Sequence, residues 1–298
     1  MTLRYVECAA IRERGCATNC QKKSAIINIG LYNSVRMFHG VPLKTVYNDN
    51  MRVLRELACV QQGTTVSVRR SQANALKGQR TINAIVEALA GIRVPVDSDD
   101  FVGNEEAFYL TAKLVAEYVL DNHEEAVRLG SQQLHHLNLH RIEVSVFHTA
   151  YAMACLALHK KNGHSRKLLV AARRKAKMID KLALKAQEFC LPKKHLLRAE
   201  LQSLSSFRGR KQRNKWFDET LQVYNCAIAL ASKAGLLMEE AIAYEAGARF
   251  MADCGKSPVV YLEKAQALYV RWGATVKADQ LQSKLASLRQ LERRPASR

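Results

Sequence analysis

Glycine and proline are scarce in this sequence. The chain has 298 residues, of which 14 are glycine and 5 are proline, and this is about half the share found in an average globular protein. A β-sandwich or a β-barrel needs many turns that contain these two residues, so their shortage argues against both folds. A chain of helices joined by short connections agrees better with so few turn residues.

Long apolar runs are also missing. No stretch of about 18 apolar residues, the length that crosses a bilayer, occurs in the sequence. Arg4 and Glu7 interrupt the first ten residues, which therefore do not have the pattern of a secretory signal. Hydrophobic residues nevertheless make up 48% of the chain, more than a disordered chain contains. We therefore expect a folded, cytoplasmic protein.

The motifs that mark catalysis are not present. The sequence has no GxxxxGK[ST] phosphate loop, no GxSxG motif and no glycine-rich dinucleotide fingerprint. His136 and His140 have the spacing of a helical metal pair, but Leu137, Asn138 and Leu139 stand between them, so HExxH is absent. We therefore predict that the protein is not an enzyme and has neither catalytic residues nor a cofactor.

Eight cysteines are spread widely along the chain. Wide spacing without an export signal favours reduced thiols over disulfides. Cys16 and Cys20 have the spacing of half a zinc site, but no second pair of ligands follows at a suitable distance. The histidines around His135 and His136 are interpreted as a solvated helix end. The sequence thus predicts no metal site.

Apolar residues recur at helical spacing. In residues 104–120 and 166–188 they occupy every third or fourth position, and charged residues fill the opposite face. Breakers such as Gly163, Pro192 and Gly255 are interpreted as the separators of such runs. The predicted fold class is all-α, with antiparallel helix pairs stacked as an α-solenoid of the tetratricopeptide type.

The predicted organisation has one principal domain. Residues 30–290 are interpreted as the helical-repeat domain. Residues 1–29 form a poorly determined N-terminal segment, and residues 291–298 form a basic C-terminal tail.

An internal repeat supports this prediction. The residues of one unit recur 38 positions later, since Ala227 corresponds to Ala265 and Gly235 to Gly273. Each unit is predicted to contain a helix, a glycine-marked turn and a second helix. The residues predicted to pack the repeats against each other are Ala227, Leu230, Gly235, Phe250, Ala265, Leu268, Tyr269, Trp272 and Gly273.

The end of this region resembles a known group of proteins. Residues 238–274 read MEEAIAYEAGARFMADCGKSPVVYLEKAQALYVRWGA, and residues 191–201 read LPKKHLLRAEL. Both are similar to the helical-repeat region of very large signalling proteins that combine a protein-kinase-like domain, a STAND-type AAA ATPase, the helical region, and sensor and histidine-kinase modules. The positions that carry the resemblance include Glu200 and Glu245, and the segment from Trp272 to Ala274.

The resemblance implies a helical arm without catalytic residues. No nucleotide site and no phospho-acceptor histidine is carried over, because the kinase and ATPase modules have no counterpart in this sequence. His195 matches a position in the helical repeat only. The resemblance thus implies a scaffold or partner-sensing module in ATPase-linked and kinase-linked signal transduction.

The charge is strongly positive. The chain has 46 lysines and arginines and 27 acidic residues, for a formal net charge of +19. Basic residues concentrate in 160–185 and 208–215. Three interpretations remain open: a solvated helix surface, a docking surface for an acidic protein, and a surface that binds nucleic acid nonspecifically. The candidate docking residues are Arg173, Arg174, Lys177, Lys181, Arg208, Arg210, Lys211 and Arg213.

The leading functional hypothesis is a non-catalytic helical-repeat scaffold whose partner is another protein or a flanking ATPase or kinase domain. The alternative is a stand-alone basic helical protein that binds nucleic acid. Nucleic-acid affinity falls steeply between low and physiological salt, so salt dependence separates the two.

Overall fold

The computed structural model describes residues 36–37, 40–59, 86, 89–90, 104–132, 141–163, 165–205 and 210–293. Within these ranges the chain forms ten α-helices and no strand, which confirms the all-α class. The helices are α1 (Leu43–Cys59), α2 (Asn104–Val119), α3 (His123–Ser131), α4 (Arg141–Lys161), α5 (Arg166–Ala183), α6 (Gln187–Ser203), α7 (Arg210–Lys233), α8 (Leu237–Asp253), α9 (Val259–Trp272) and α10 (Thr275–Arg293).

Two details of the sequence interpretation are wrong. The predicted helical run 166–188 is two helices, because α5 ends at Ala183 and the N–H groups of Lys185 and Ala186 both turn back to the carbonyl of Leu182. Pro192 does not separate helices but lies inside α6, where it is buried. Apolar periodicity continues across the turn between α5 and α6, so the pattern alone does not mark the break.

Left-handed glycines end several of the helices. Gly235 follows α7 with φ 68°, Gly255 follows α8 with φ 71°, and Gly273 follows α9 with φ 90°. Glycine adopts such angles without the steric penalty that other residues incur. These turns are short, and consecutive helices from α2 to α10 pack against one another.

Alternate helices also touch. Besides the consecutive contacts, α2 packs on α4, α4 on α6, and α6 on α8. These four helices supply many of the fully buried apolar side chains, among them Leu114, Leu156, Leu197 and Ala246. The core thus runs along the even-numbered helices, with odd-numbered helices packed on them.

The segment before α1 contacts the other end of the described chain. A side chain at Gly40, whose φ is 77°, would collide with Leu237 at the start of α8. Leu43 is fully buried beside Gly273, which ends α9. Thr275 of α10 donates a hydrogen bond of 2.9 Å to the carbonyl of Ala90. The N-terminal part of the described chain therefore packs on helices α8 to α10.

Among the helices of the described ranges, none combines the length and the apolar character that a bilayer crossing requires.

Candidate functional site

The outer side of α5 carries more exposed cations than any other helix described here. Ala172, Ile179 and Ala183 point inward and are buried. The opposite side is exposed, and we call it the basic face. Leu184 and Lys185, in the turn that follows the helix, also belong to it. Its members are Arg166, Lys167, Val170, Arg173, Arg174, Lys177, Met178, Lys181, Leu184 and Lys185.

The cations of the basic face form no ion pairs with carboxylates of the described residues. Asp180, the acidic residue of α5, pairs with Lys194 at 3.4 Å. Lys175 turns away from the face, toward the rings of Phe147 and Tyr151. Among the described residues, no carboxylate forms an ion pair with any of the seven lysines and arginines of the basic face.

Apolar side chains interrupt these cations. Val170 is 38% exposed, Met178 is 40% exposed and Leu184 is 78% exposed. Single exposed apolar residues are normal on a protein surface. Here, however, three of the five exposed large hydrophobic residues in the described ranges lie on one helix face. The basic face thus combines positive charge with apolar contact area.

The second predicted basic segment is the start of α7. Arg210, Lys211 and Arg213 are exposed there, and Lys215 lies 3.8 Å from Glu219. Arg208 falls outside the described residues. Helix α6 contacts both α5 and α7. The structure therefore brings Arg173, Arg174, Lys177 and Lys181 together on one face of α5. It places the other three described docking candidates on a different helix, α7.

A cluster of charged residues and tyrosines joins distant helices, and we call it the central polar cluster. Its members are Tyr118, Asp121, Glu245, Arg249, Tyr269 and Lys277. Lys277 of α10 is 1% exposed, and its ammonium lies 2.6 Å from Asp121 Oδ2 and 2.8 Å from Glu245 Oε1. Tyr269 donates to Glu245 at 2.9 Å. Arg249 Nη2 donates to the Tyr118 hydroxyl at 3.2 Å. The cluster therefore ties α2 to α8, α9 and α10.

Asp121 has an unusual backbone in this cluster. Its φ of 63° is the left-handed conformation, which aspartate tolerates better than most residues. Partial burial acts to raise the pKa of Asp121, but the nearby Lys277 and Arg249 outweigh it and hold the pKa below its usual value. The carboxylate is therefore ionised at neutral pH, as its position beside two cations requires.

Glu200 is a second buried glutamate that accepts a hydrogen bond from a tyrosine, as Glu245 does. Tyr224 of α7 donates to Glu200 Oε1 at 2.9 Å, and Lys160 of α4 donates to Oε2 at 3.1 Å. Burial acts to raise the pKa of Glu200, and the charges of Lys160 and Arg249 lower it overall. A Tyr–Glu hydrogen bond thus joins α6 to α7, as another joins α8 to α9.

Lys193 and Glu239 form a third buried pair, between α6 and α8. The Lys193 ammonium is 2.7 Å from Glu239 Oε1, although neither Glu239 oxygen has hydrogen-bond geometry to a partner within the described residues. A cavity of about 20 Å³ lies beside the pair, lined also by Tyr118 and Thr149. This volume accommodates about one water molecule.

No protein-family model, no curated protein and no solved structure matches this chain.

The resemblance to the signalling proteins therefore stays a prediction. The residues that carry it nevertheless have definite places: Glu200 and Glu245 accept the two tyrosine hydrogen bonds, and Trp272 is fully buried with Tyr269 next to it. His195 lies on α6, half-buried, and burial lowers its pKa.

The predicted repeat-packing residues are mostly interior. Leu230 is half-buried, and Gly235 and Gly273 are the left-handed ends of α7 and α9. Phe250 is buried against the rings of Phe217 and Trp216. The buried members are Ala227, Phe250, Ala265, Leu268, Tyr269 and Trp272.

The remaining candidates concern metals and thiols. Cys16, Cys20 and the histidines 135, 136 and 140 lie outside the described residues. Within the described ranges no group of three or more His, Cys, Asp or Glu side chains could hold a metal ion. Cys155, Cys190, Cys226 and Cys254 are free thiols. Burial raises the pKa of Cys155 to about 11, so this thiol stays protonated at neutral pH.

Sequence reasoning missed the interior charges. Nothing in the sequence analysis singles out Asp121, Lys193, Arg249 or Lys277, yet each belongs to a buried or half-buried pair. A lysine flanked by apolar neighbours, as Lys277 is by Val276 and Ala278, was the available signal.

Proposed function

We propose that this chain is a non-catalytic, cytoplasmic helical-repeat module that docks an acidic protein partner on the basic face. The observation that carries the proposal is the set of seven exposed lysines and arginines without a carboxylate partner among the described residues. Such a surface attracts an acidic partner over a distance and raises its association rate.

The packing supports a repeat architecture for the module. Helices α2, α4, α6 and α8 touch in sequence, and left-handed glycines recur after α7 and α9. These are features of helix pairs stacked into a superhelix. We extend the proposal to such a stack, in which a rigid core holds the basic face in a fixed position.

The resemblance of residues 191–201 and 238–274 supports a place for this module in ATPase-linked and kinase-linked signalling. In that setting, docking on the basic face would bias a neighbouring catalytic domain. The central polar cluster supports such a role because its ion pairs and hydrogen bonds connect the end of α2 to α8 and α10, which are distant in the chain.

The experiment is a selection of displayed random peptides by the purified chain at physiological ionic strength. The selection is repeated with the charge-reversed variant R174E/K177E/K181E and with the control K233E/R271E/K284E, which reverses three exposed cations on α7, α9 and α10. We expect the enriched peptides to be acidic, to be retained by the control, and to be lost by the α5 variant. Enrichment of peptides that the α5 variant retains would contradict the proposal.

Nucleic-acid binding is the second candidate, and the same unpaired cations together with the net charge of +19 favour it. If each cation of the basic face neutralised one phosphate of a duplex, the affinity would fall steeply with salt. The test is a titration of duplex DNA with the chain from about 50 to about 200 mM salt. Binding that weakens steeply with salt, is still measurable near physiological salt and disappears in R174E/K177E/K181E would favour this function over protein docking.

A further inference from the structure

We infer that the partner element that occupies the basic face is a single acidic amphipathic helix, apolar at both ends and rich in carboxylates between them. This inference rests on the docking function proposed above and specifies the chemistry and shape of the partner.

The first argument is the spacing of residues along the basic face. Val170, Arg174, Lys177, Lys181 and Leu184 follow one another at intervals of four, three, four and three residues, and all are exposed. These intervals keep the five side chains in one line along a helix, and they are the spacing by which one helix packs along another. Leu184 extends the line because its backbone, φ −66° and ψ −25°, is still helical.

The second argument is the distribution of charge along this line. Its two ends are apolar, at Val170 and Leu184, and its three central residues are cations. A partner helix that lies along the line meets apolar area at its ends and positive charge at its middle. Carboxylates opposite Arg174, Lys177 and Lys181 would supply the ion-pair partners that the described residues do not.

The third argument is length. Helix α5 has 18 residues, which corresponds to about 27 Å. A partner of about 18 residues would match it, with its apolar residues about 14 positions apart. An interface of one helix against one helix is small, and this size is typical of transient association.

Other anionic surfaces fit the same line less well. Helices that lie on a membrane use a continuous apolar side, often with Trp or Phe, whereas the apolar residues of α5 are separated by cations and the helix contains no aromatic residue. A nucleic acid offers phosphates to the three central cations, but its backbone provides no apolar partner for Val170 and Leu184.

The test uses a fluorescent acidic peptide of about 18 residues, with one leucine near each end and glutamates on the same face between them. One comparison peptide replaces both leucines by serine. Another keeps them but has a central proline, which breaks the helix. Binding is measured by anisotropy at physiological salt with the full chain and with V170S/L184S, R174E/K177E/K181E and the control K233E/R271E/K284E. Circular dichroism checks that each variant keeps its helical content.

We expect the first peptide to bind at least about tenfold more tightly than either comparison peptide, since burial of one Val or Leu side chain alone is worth that factor. V170S/L184S should lose a similar factor, R174E/K177E/K181E should lose measurable binding, and the control should stay within about twofold of the wild type.

The other outcomes overturn the inference in distinguishable ways. Equal binding of all three peptides through Arg174, Lys177 and Lys181 would keep the docking function and reject the helix. Absence of binding by every peptide would also reject the helix, and the displayed-peptide selection would then decide the docking function separately. Binding of duplex DNA or of phosphatidylserine vesicles through the same three cations, without peptide binding, would reject both.

Discussion

At the scale of single residues, Lys277 is a buried cation that depends on its ion-pair partners. Its ammonium is removed from solvent and is held by two carboxylates, those of Asp121 and Glu245. Removal of one member of a buried ion pair destabilises a protein by about 3–5 kcal/mol, because the other member loses its compensation. Arg249 remains within 4 Å of both carboxylates, so the loss for Lys277 should lie at the lower end of this range.

We therefore expect Lys277→Met to lower the free energy of unfolding by about 3 kcal/mol or more. The matched control is Lys284→Met, on the exposed side of the same helix, which should change it by less than about 0.5 kcal/mol. Urea unfolding followed by circular dichroism gives both values. Equal midpoints for the two variants would mean that Lys277 is hydrated in solution.

A second residue-scale prediction concerns pH. Burial, with a smaller contribution from the charge of Lys175, lowers the pKa of His148 to about 4, whereas an unfolded histidine titrates near about 6.5. The unfolded state therefore binds a proton before the folded state does, so stability present above about pH 6.5 is lost as the pH falls toward about 4.

Protonation of His148 should lower the free energy of unfolding by roughly 3 kcal/mol once the pH is below the pKa values of both states. His148→Gln does not titrate in this range, so its stability should fall less than that of the wild type between pH 7 and about pH 4.5. Urea midpoints measured at several pH values provide the comparison. Parallel curves for the two proteins would show that His148 is free to protonate in the folded state.

The chemistry of Lys277 and Asp121 explains why the sequence alone did not identify them as buried residues. Lysine and aspartate are almost always exposed, so residue type argues against burial of either, even though Lys277 has the helical spacing of the buried Leu281 and Leu285. Asp121 lies in the turn between α2 and α3, where helical periodicity gives no information. Only contacts between helices far apart in sequence, such as α2 with α10, create the buried pairs. Glu200 and Glu245 came to notice through a resemblance, and periodicity gave no hint of their tyrosine partners.

At the scale of helices, the sequence predicts more of the structure. Apolar spacing identifies α2 and α5, and glycines mark the ends of α7, α8 and α9, because both signals depend on neighbours within a few residues. The apolar pattern did not predict the turn at residues 184–186, because Leu182 and Ala186 continue the helical spacing of apolar residues through it. Helix α5 ends there because the chain must return to pack α6 on α4 and α5.

The internal repeat makes a prediction at this scale. Ala227 and Ala265 are both fully buried, so Ala227→Leu and Ala265→Leu should each lower stability by about 1–3 kcal/mol through overpacking. Ala229, on the exposed side of α7, provides the control, and Ala229→Leu should be close to neutral. Thermal unfolding of the four proteins tests this. Unchanged melting temperatures for both buried positions would reject the 38-residue register.

For the whole molecule, the prediction concerns activity. A triphosphate site needs backbone N–H groups that converge at a helix start, together with a lysine and a metal-binding side chain. The sequence has no glycine cluster for such a loop. The purified chain should therefore neither hydrolyse ATP nor bind it saturably with Mg²⁺ at physiological salt, although weak attraction is expected at low salt. Phosphate release and equilibrium dialysis measure the two quantities. Steady ATP hydrolysis that a single substitution abolishes would contradict this prediction and would establish a nucleotide site without a known sequence motif.

The contact of Gly40 and Leu43 with Leu237 and Gly273 bears on the order in which the chain folds. These partners are roughly 200 residues apart, so closing the loop between them costs more entropy than any contact between adjacent helices. During synthesis the segment before α1 is made early, and its partners on α8 and α9 are made last. Pairs of adjacent helices can form as they are made, but Leu43 acquires its buried environment only when those late helices are present. We therefore expect docking of this early segment onto the late helices to be a slow, non-local step of folding.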